Sequence, residues 1–153
     1  MNKNVVIPLG IKFIIGFHLL SIFLWIFGQG GAVIAYDTVA EWGFQEPRAL
    51  SDPALVEVNR GIGLTDIVLQ IPLFIISIIG LWKFKFYGAV ASWLVFGMTL
   101  YWPLVAWANK YFLVQNGIQH QPFDIGTNII LIFIVLFAAW ASWYLFKNRN
   151  IFE

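Results

Sequence analysis

The sequence predicts an all-α integral membrane protein, a bundle of four transmembrane helices with the N- and C-termini both cytoplasmic. Three observations lead there. Apolar residues make up 60% of the 153-residue chain and charged residues only 11%, against roughly 25% charged in an ordinary soluble domain. Four stretches exceed the roughly 20 apolar residues that a hydrocarbon core requires. Basic residues gather in alternate connections, and that asymmetry sets orientation.

The first stretch, Phe13 to Tyr36, carries no charge. Preceded by Lys3 and Lys12 and ending in Gly28, Gly30, Gly31, Ala32 and Ala35, it has the outline of a secretory signal. It is longer than the usual apolar region of about 7–15 residues, so it is read as a retained span over about residues 11–36. The same small residues predict a close approach of helix one to a neighbour. The second stretch, 61–82, holds one acid, Asp66; the third, 86–109, and the fourth, 125–146, hold none. Pro72 and Pro103 each remove a backbone donor inside a span, predicting a kink or a wet backbone there.

Lys3 and Lys12, then Lys83 and Lys85, then Lys147 and Arg149 mark three cytoplasmic places. The external loop 37–60 sets five acids against Arg48 and Arg60, and the Lys110–Asp124 connection also faces outward. Within the loop, Ser51-Asp52-Pro53 reads as an N-cap with proline at the first helical position, opening a short surface helix over Ala54–Asn59. Trp42 and Phe44 are expected to dip into the interface, where aromatic rings form a lipid-facing belt. The tight turn at Lys83–Lys85 makes helices two and three antiparallel neighbours. Residues 1–153 form one transmembrane domain in a cell membrane, the inner membrane if the source is bacterial.

Formal net charge is +1, with no basic cluster, so no nucleic-acid partner is expected. The absence of cysteine removes disulfides, thiolate metal sites and thiol nucleophiles. No phosphate-cradling glycine loop, zinc-protease helix or nucleophile elbow is present, so no catalytic residue is assigned and no metal or cofactor is expected. His18 lies on a polar line with Ser21, Trp25 and Gln29 that should face inward. It lacks a second histidine at its depth for haem ligation, because His120 sits in an outer loop. His18 is therefore read as a hydrogen-bonding structural residue.

Length and span count resemble those of the small multidrug transporters. That family relies on a membrane-embedded glutamate in its first helix, and helix one here has no acid, so the transporter function is not carried over.

The chemistry-bearing candidates gather around Asp66. A carboxylate near the centre of a span costs about 2.5–3.5 kcal/mol on insertion scales and usually faces the bundle interior. At about 1.5 Å per residue, Asp66 lies roughly 8–9 Å outward of the midplane, and Gln70, one turn on, shares its face. The same reckoning brings Gln29, Tyr101, Trp102 and Asn128 into the outward half. These six residues form either a ligand-binding cluster or interhelical hydrogen-bonding glue. The first expectation for function is a non-catalytic accessory subunit or lipophilic-ligand binder whose partners are membrane lipid, another membrane protein or copies of itself. The alternatives are an intramembrane enzyme on a lipid or isoprenoid-like substrate with Asp66 as acid or base, and an oligomeric transporter or channel coupled through Asp66.

The cysteine-free chain makes the orientation directly testable. A cysteine placed at Phe84 should resist an impermeant thiol reagent added outside intact cells, while one at Trp42 should react. Labelling of Phe84→Cys from outside would invert the assignment.

Overall fold

The computed structural model describes residues 6–153, and among them the chain is helical with no strand. Lys3, one of the basic residues used for orientation, lies outside them. In chain order the helices are α1 (Leu9–Ile34), α2 (Tyr36–Glu41), α3 (Pro53–Trp82), α4 (Phe86–Gln115) and α5 (Ile125–Lys147). All but α2 are long and apolar enough to cross a membrane, and the chain is a multi-pass membrane protein.

Direction alternates from span to span. Ile7, the Lys83–Lys85 turn and the C-terminus meet at one end of the bundle, the terminal end: Ile7 packs in the same cluster as Phe152. Phe86 N–H donates to Glu153 O and Glu153 N–H to Phe84 O, each at 2.9 Å. The 35–52 and 116–124 segments meet at the other, the loop end, where Asp52 N–H donates to Gln119 O at 2.9 Å.

Two boundaries differ from the sequence reading. Ala54–Asn59 is not a separate surface helix but the start of α3. Asp52 accepts from Ala54 N–H at 2.8 Å and Pro53 takes the first helical position. Beyond it Gly61 and Gly63 each weaken the helix by about 1 kcal/mol, too little to break the ladder. Likewise α4 continues past Asn109, so Lys110 stands on a helix and not in a connection. The run Tyr111–Gln115 extends the ladder until Gly117, at φ +62°, turns the chain. Gly117 N–H then donates to Val114 O and Ile118 N–H to Leu113 O, the paired bonds of a Schellman ending. Pro72 and Pro103 lie inside uninterrupted helices. A π-helical segment, Trp25–Gly30, interrupts α1.

The apolar core fills the terminal half. Ile11, Ile14 and Ile15 of α1 pack with Leu81, with Ala89 and Phe96 of α4, and with Ala138, Ala141 and Leu145 of α5. Small residues set the spacing. Gly80 and Gly88 face each other across the α3–α4 turn, and a Cβ on either would run into the other's backbone. Gly10 sits directly under the Tyr144 ring. Farther along, Gly30 packs on Ile67, and a Cβ on Gly63 would lie 2.6 Å from the Gln29 carbonyl oxygen. The close approach expected of helix one is therefore made to α3. Long apolar side chains cover the outside of every span, as in Phe13, Leu69, Leu104 and Phe133, which suits contact with lipid.

Gly88→Val should lower the thermal midpoint of the detergent-solubilised protein, because overpacking typically costs about 1–3 kcal/mol. Gly97 meets nothing within 4 Å, so Gly97→Ala should hold the midpoint or raise it by removing the helix cost of glycine, about 1 kcal/mol. Equal midpoints for Gly88→Val and wild type would show that the glycine contact does not set the hairpin.

Candidate functional site: a cavity at the loop end

Where the core stops, the helices enclose a cavity of about 800 Å³ at the loop end. Asn59 and Ile62 of α3, Trp102, Ala106 and Asn109 of α4, and Thr127 and Leu131 of α5 form its walls. The loop residues Gly43–Pro47 and Gln121–Asp124 close over it, and Gln29 of α1 reaches it from below. The volume falls within the range of about 300–1,000 Å³ usual for small-molecule sites.

The Lys110–Glu46 ion pair ties the first loop to α4. Lys110 Nζ bonds the Glu46 carboxylate, donates to the Gln121 carbonyl oxygen at 2.7 Å and stands 5.0 Å from the centroid of the Phe123 ring. Glu46 also accepts from Ser51 Oγ and from Gln121 N–H, each at 3.0 Å. Burial alone pushes the Glu46 carboxyl up, but the bonds from Lys110, Gln121 and Ser51 together with the Lys110 charge outweigh it and hold the group below its usual value. Asp124 caps α5 by accepting from Thr127 N–H at 2.6 Å, which holds that carboxyl below its usual range as well. The Phe44 ring packs over Gly28 and lines the cavity while remaining 42% exposed, and Trp42 is exposed as well.

The six candidates divide into four groups. Gln29 and Trp102 line the cavity. Asp66 and Gln70 form a buried pair, Gln70 Nε2 donating to Asp66 Oδ1 at 2.6 Å. Asp66 is one turn deeper than Ile62 on α3, so it lies beneath the cavity and outside its lining. Gln29 Oε1 comes within 3.4 Å of where a Gly63 Cβ would be, which sets it beside the Asp66 turn. Asn128 is used elsewhere, accepting from Trp107 Nε1 at 2.9 Å and donating to the Asp124 carbonyl oxygen at 2.9 Å. Tyr101 is 67% exposed and points away from the other five; a residue one position before Trp102 is turned by about 100° on a helix. Four spans thus bring polar groups to one level, but they do not converge on one point.

Below Asp66 a polar seam continues between α1, α3 and α4. His18 Nε2 lies 3.4 Å from Ser92 Oγ, and Ser92 Oγ lies 2.5 Å from Ser77 Oγ and donates to the Gly88 carbonyl oxygen at 2.8 Å. The His18 ring stacks on Phe96 at 5.0 Å between centroids. His18 and Ser21 are both buried, so the polar line of helix one faces inward as expected. Among the described residues, His18 Nδ1, Trp25 Nε1 and Asp66 Oδ2 are buried without a hydrogen-bond partner. No group of three or more histidine, cysteine or acidic side chains there is arranged to hold a metal ion.

No protein family, curated protein or solved structure matches the chain.

Sequence reasoning did not place Glu46, Lys110, Phe44 or Phe123 at the site. Lys110 carried a signal: it is a lone cation followed by the apolar run Tyr111–Val114, which favours a continuing helix over a loop. Its partner, 64 positions away, had none.

The depressed Glu46 fixes the sign of an acid effect. A carboxyl lowered by folding stabilises the native state fully above the ordinary glutamate value of about 4.3, and that contribution disappears as pH falls through the lower folded value. The thermal midpoint of wild type should therefore drop more steeply than that of Glu46→Gln between about pH 5 and pH 3. Parallel curves would remove Glu46 from the tie between loop and helix.

Proposed function

We propose that this protein is a non-catalytic membrane protein that binds a lipophilic ligand in the loop-end cavity, with both chain ends cytoplasmic and the cavity opening on the outer face of a cell membrane. The observation that carries the reading is the cavity itself: about 800 Å³, walled by apolar and aromatic groups with a few amides among them, at the loop end of the four long apolar helices. Phe44, Trp102 and Leu131 offer an apolar wall, and Gln29, Asn59 and Asn109 offer hydrogen bonds. That mixture suits an amphiphile with its tail between the helices. Membrane lipid is then the ligand source, and a second membrane protein or another copy of this chain is the receiver.

A second reading has one observation in its favour. Asp66 Oδ2 is buried and unpartnered, one turn beneath the cavity, where an acid or base for an intramembrane reaction, or a coupling group in an oligomeric transporter, would be kept.

Ala106 lies on the cavity wall, so Ala106→Trp should project an indole ring into the space where a ligand would lie. Native mass spectrometry of the detergent-purified protein should show at least about tenfold less retained lipid for Ala106→Trp than for wild type, with the thermal midpoint preserved. Equal retention would end the binding reading. Asp66→Asn should retain lipid as wild type does; loss of lipid in a folded Asp66→Asn protein would move the site down to Asp66 and favour the second reading.

A further inference from the structure

The charged groups on the cavity wall are engaged within the protein. Lys110 is held by Glu46 and by the Gln121 carbonyl and lies against the Phe123 ring. Glu46 takes bonds from Lys110, Ser51 and the Gln121 N–H. Asp124 is committed to the first turn of α5. What the wall leaves over is neutral: the side-chain amides of Gln29, Asn109 and Gln121 line the cavity and bond no other described residue.

That census discriminates between head groups. A phosphate only accepts hydrogen bonds and brings negative charge, so burying it calls for a free cation. Lys110 keeps a third N–H, but its charge is already balanced by Glu46, so a phosphate beside it would bring negative charge that no free cation on the wall offsets. An amide donates and accepts at once, and so does a hydroxyl; a set of amides beside aromatic faces matches a group of hydroxyls without any change of charge. We propose that the ligand carries a neutral, hydroxyl-bearing head, of the diacylglycerol or glycosyl-diacylglycerol class, and that Gln29 and Asn109 recognise its hydroxyls. This rests on the binding reading given above and adds the chemistry of the head.

Four probes test it on the full chain in detergent by native mass spectrometry: dioleoylglycerol, monoglucosyl-dioleoylglycerol, dioleoyl phosphatidic acid and free glucose. The two neutral lipids should be retained at least about tenfold more than phosphatidic acid, a gap of about 1.4 kcal/mol. Gln29→Leu and Asn109→Leu should each weaken retention of the neutral lipids by about fivefold or more, the loss of one or two hydrogen bonds, and leave phosphatidic acid and the thermal midpoint where they were. Phosphatidic acid retained as well as the neutral lipids, and displaced by Ala106→Trp, would overturn the neutral head while leaving the cavity as a lipid site. Lipid retention indifferent to Ala106→Trp would instead overturn the cavity reading itself. Glucose bound as well as its lipid would show a free sugar site and overturn the lipophilic ligand.

Discussion

The contact on which this bundle depends is the approach of Gly80 to Gly88. With no side chain on either residue, α3 and α4 touch backbone to backbone beside the turn that joins them. Inside a membrane, apolar side chains gain nothing by leaving lipid for protein, so helices associate through close packing and hydrogen bonds. A glycine pair supplies the packing, and Ser77 and Ser92, three and four residues farther along the same two helices, supply the bond at 2.5 Å. The helices are held closely at that end. About 21–27 Å farther along, at 1.5 Å per residue, the same two helices carry Ile62, Trp102 and Ala106 around open space, and closeness at one end and a cavity at the other belong to one geometry.

At the loop end a different physics takes over. Here charged groups are numerous and bonded to one another, in two sets. Glu46 and Lys110 tie the first loop to α4 and to the second loop. On the other side of the loop end, Arg48 bonds Asp37 at 2.9 Å and lies 4.8 Å over the Tyr36 ring, while Arg60 bonds Glu57 at 2.8 Å and the Val33 carbonyl oxygen at 3.0 Å. The second set is exposed, and such pairs contribute little, typically about 0–1 kcal/mol. The Glu46–Lys110 pair is better shielded, with side chains 21% and 17% exposed, and it is satisfied by further bonds on both sides. The roof of the cavity is therefore fastened at one place more firmly than elsewhere.

Between these ends runs a column of polar side chains that the bundle only partly satisfies. Gln70 gives Asp66 one bond and leaves its second oxygen without a described partner, and Trp25 and His18 each keep one nitrogen in the same condition. The π-helical turn of α1 begins at Trp25 and passes Gly63 and Ile67, so the irregular backbone of one helix faces the turn of α3 that carries the buried Asp66. Irregular turns of this kind are frequent where a helix serves a function, and α1 departs from regular geometry beside Asp66 and immediately below the cavity.

Much of the architecture was legible without coordinates. Segment lengths and the lack of charge identified four spanning helices, because the hydrocarbon thickness sets a length that few other structures need. The helix start at Asp52-Pro53, though not its continuation into the span, and the inward line of His18 and Ser21 were legible for the same local reasons, capping chemistry and helical period. Position along a helix was readable too, since rise per residue is constant, and of the six candidates Gln29 and Trp102 line the same cavity. Rotation about the helix axis was not. Which way Tyr101 points, and that Asn128 serves Trp107 while Gln29 meets Gly63, depend on how neighbouring helices pack, and almost uniformly apolar spans leave no strong polar face to announce it. Pairings between distant segments, such as Glu46 with Lys110, were decided by tertiary structure alone. The chain by itself determined four helices long and apolar enough to cross a membrane and the position of each polar group along them; only their packing decided which of those groups meet and that a cavity stands among them, because contact requires angle as well as position along the axis.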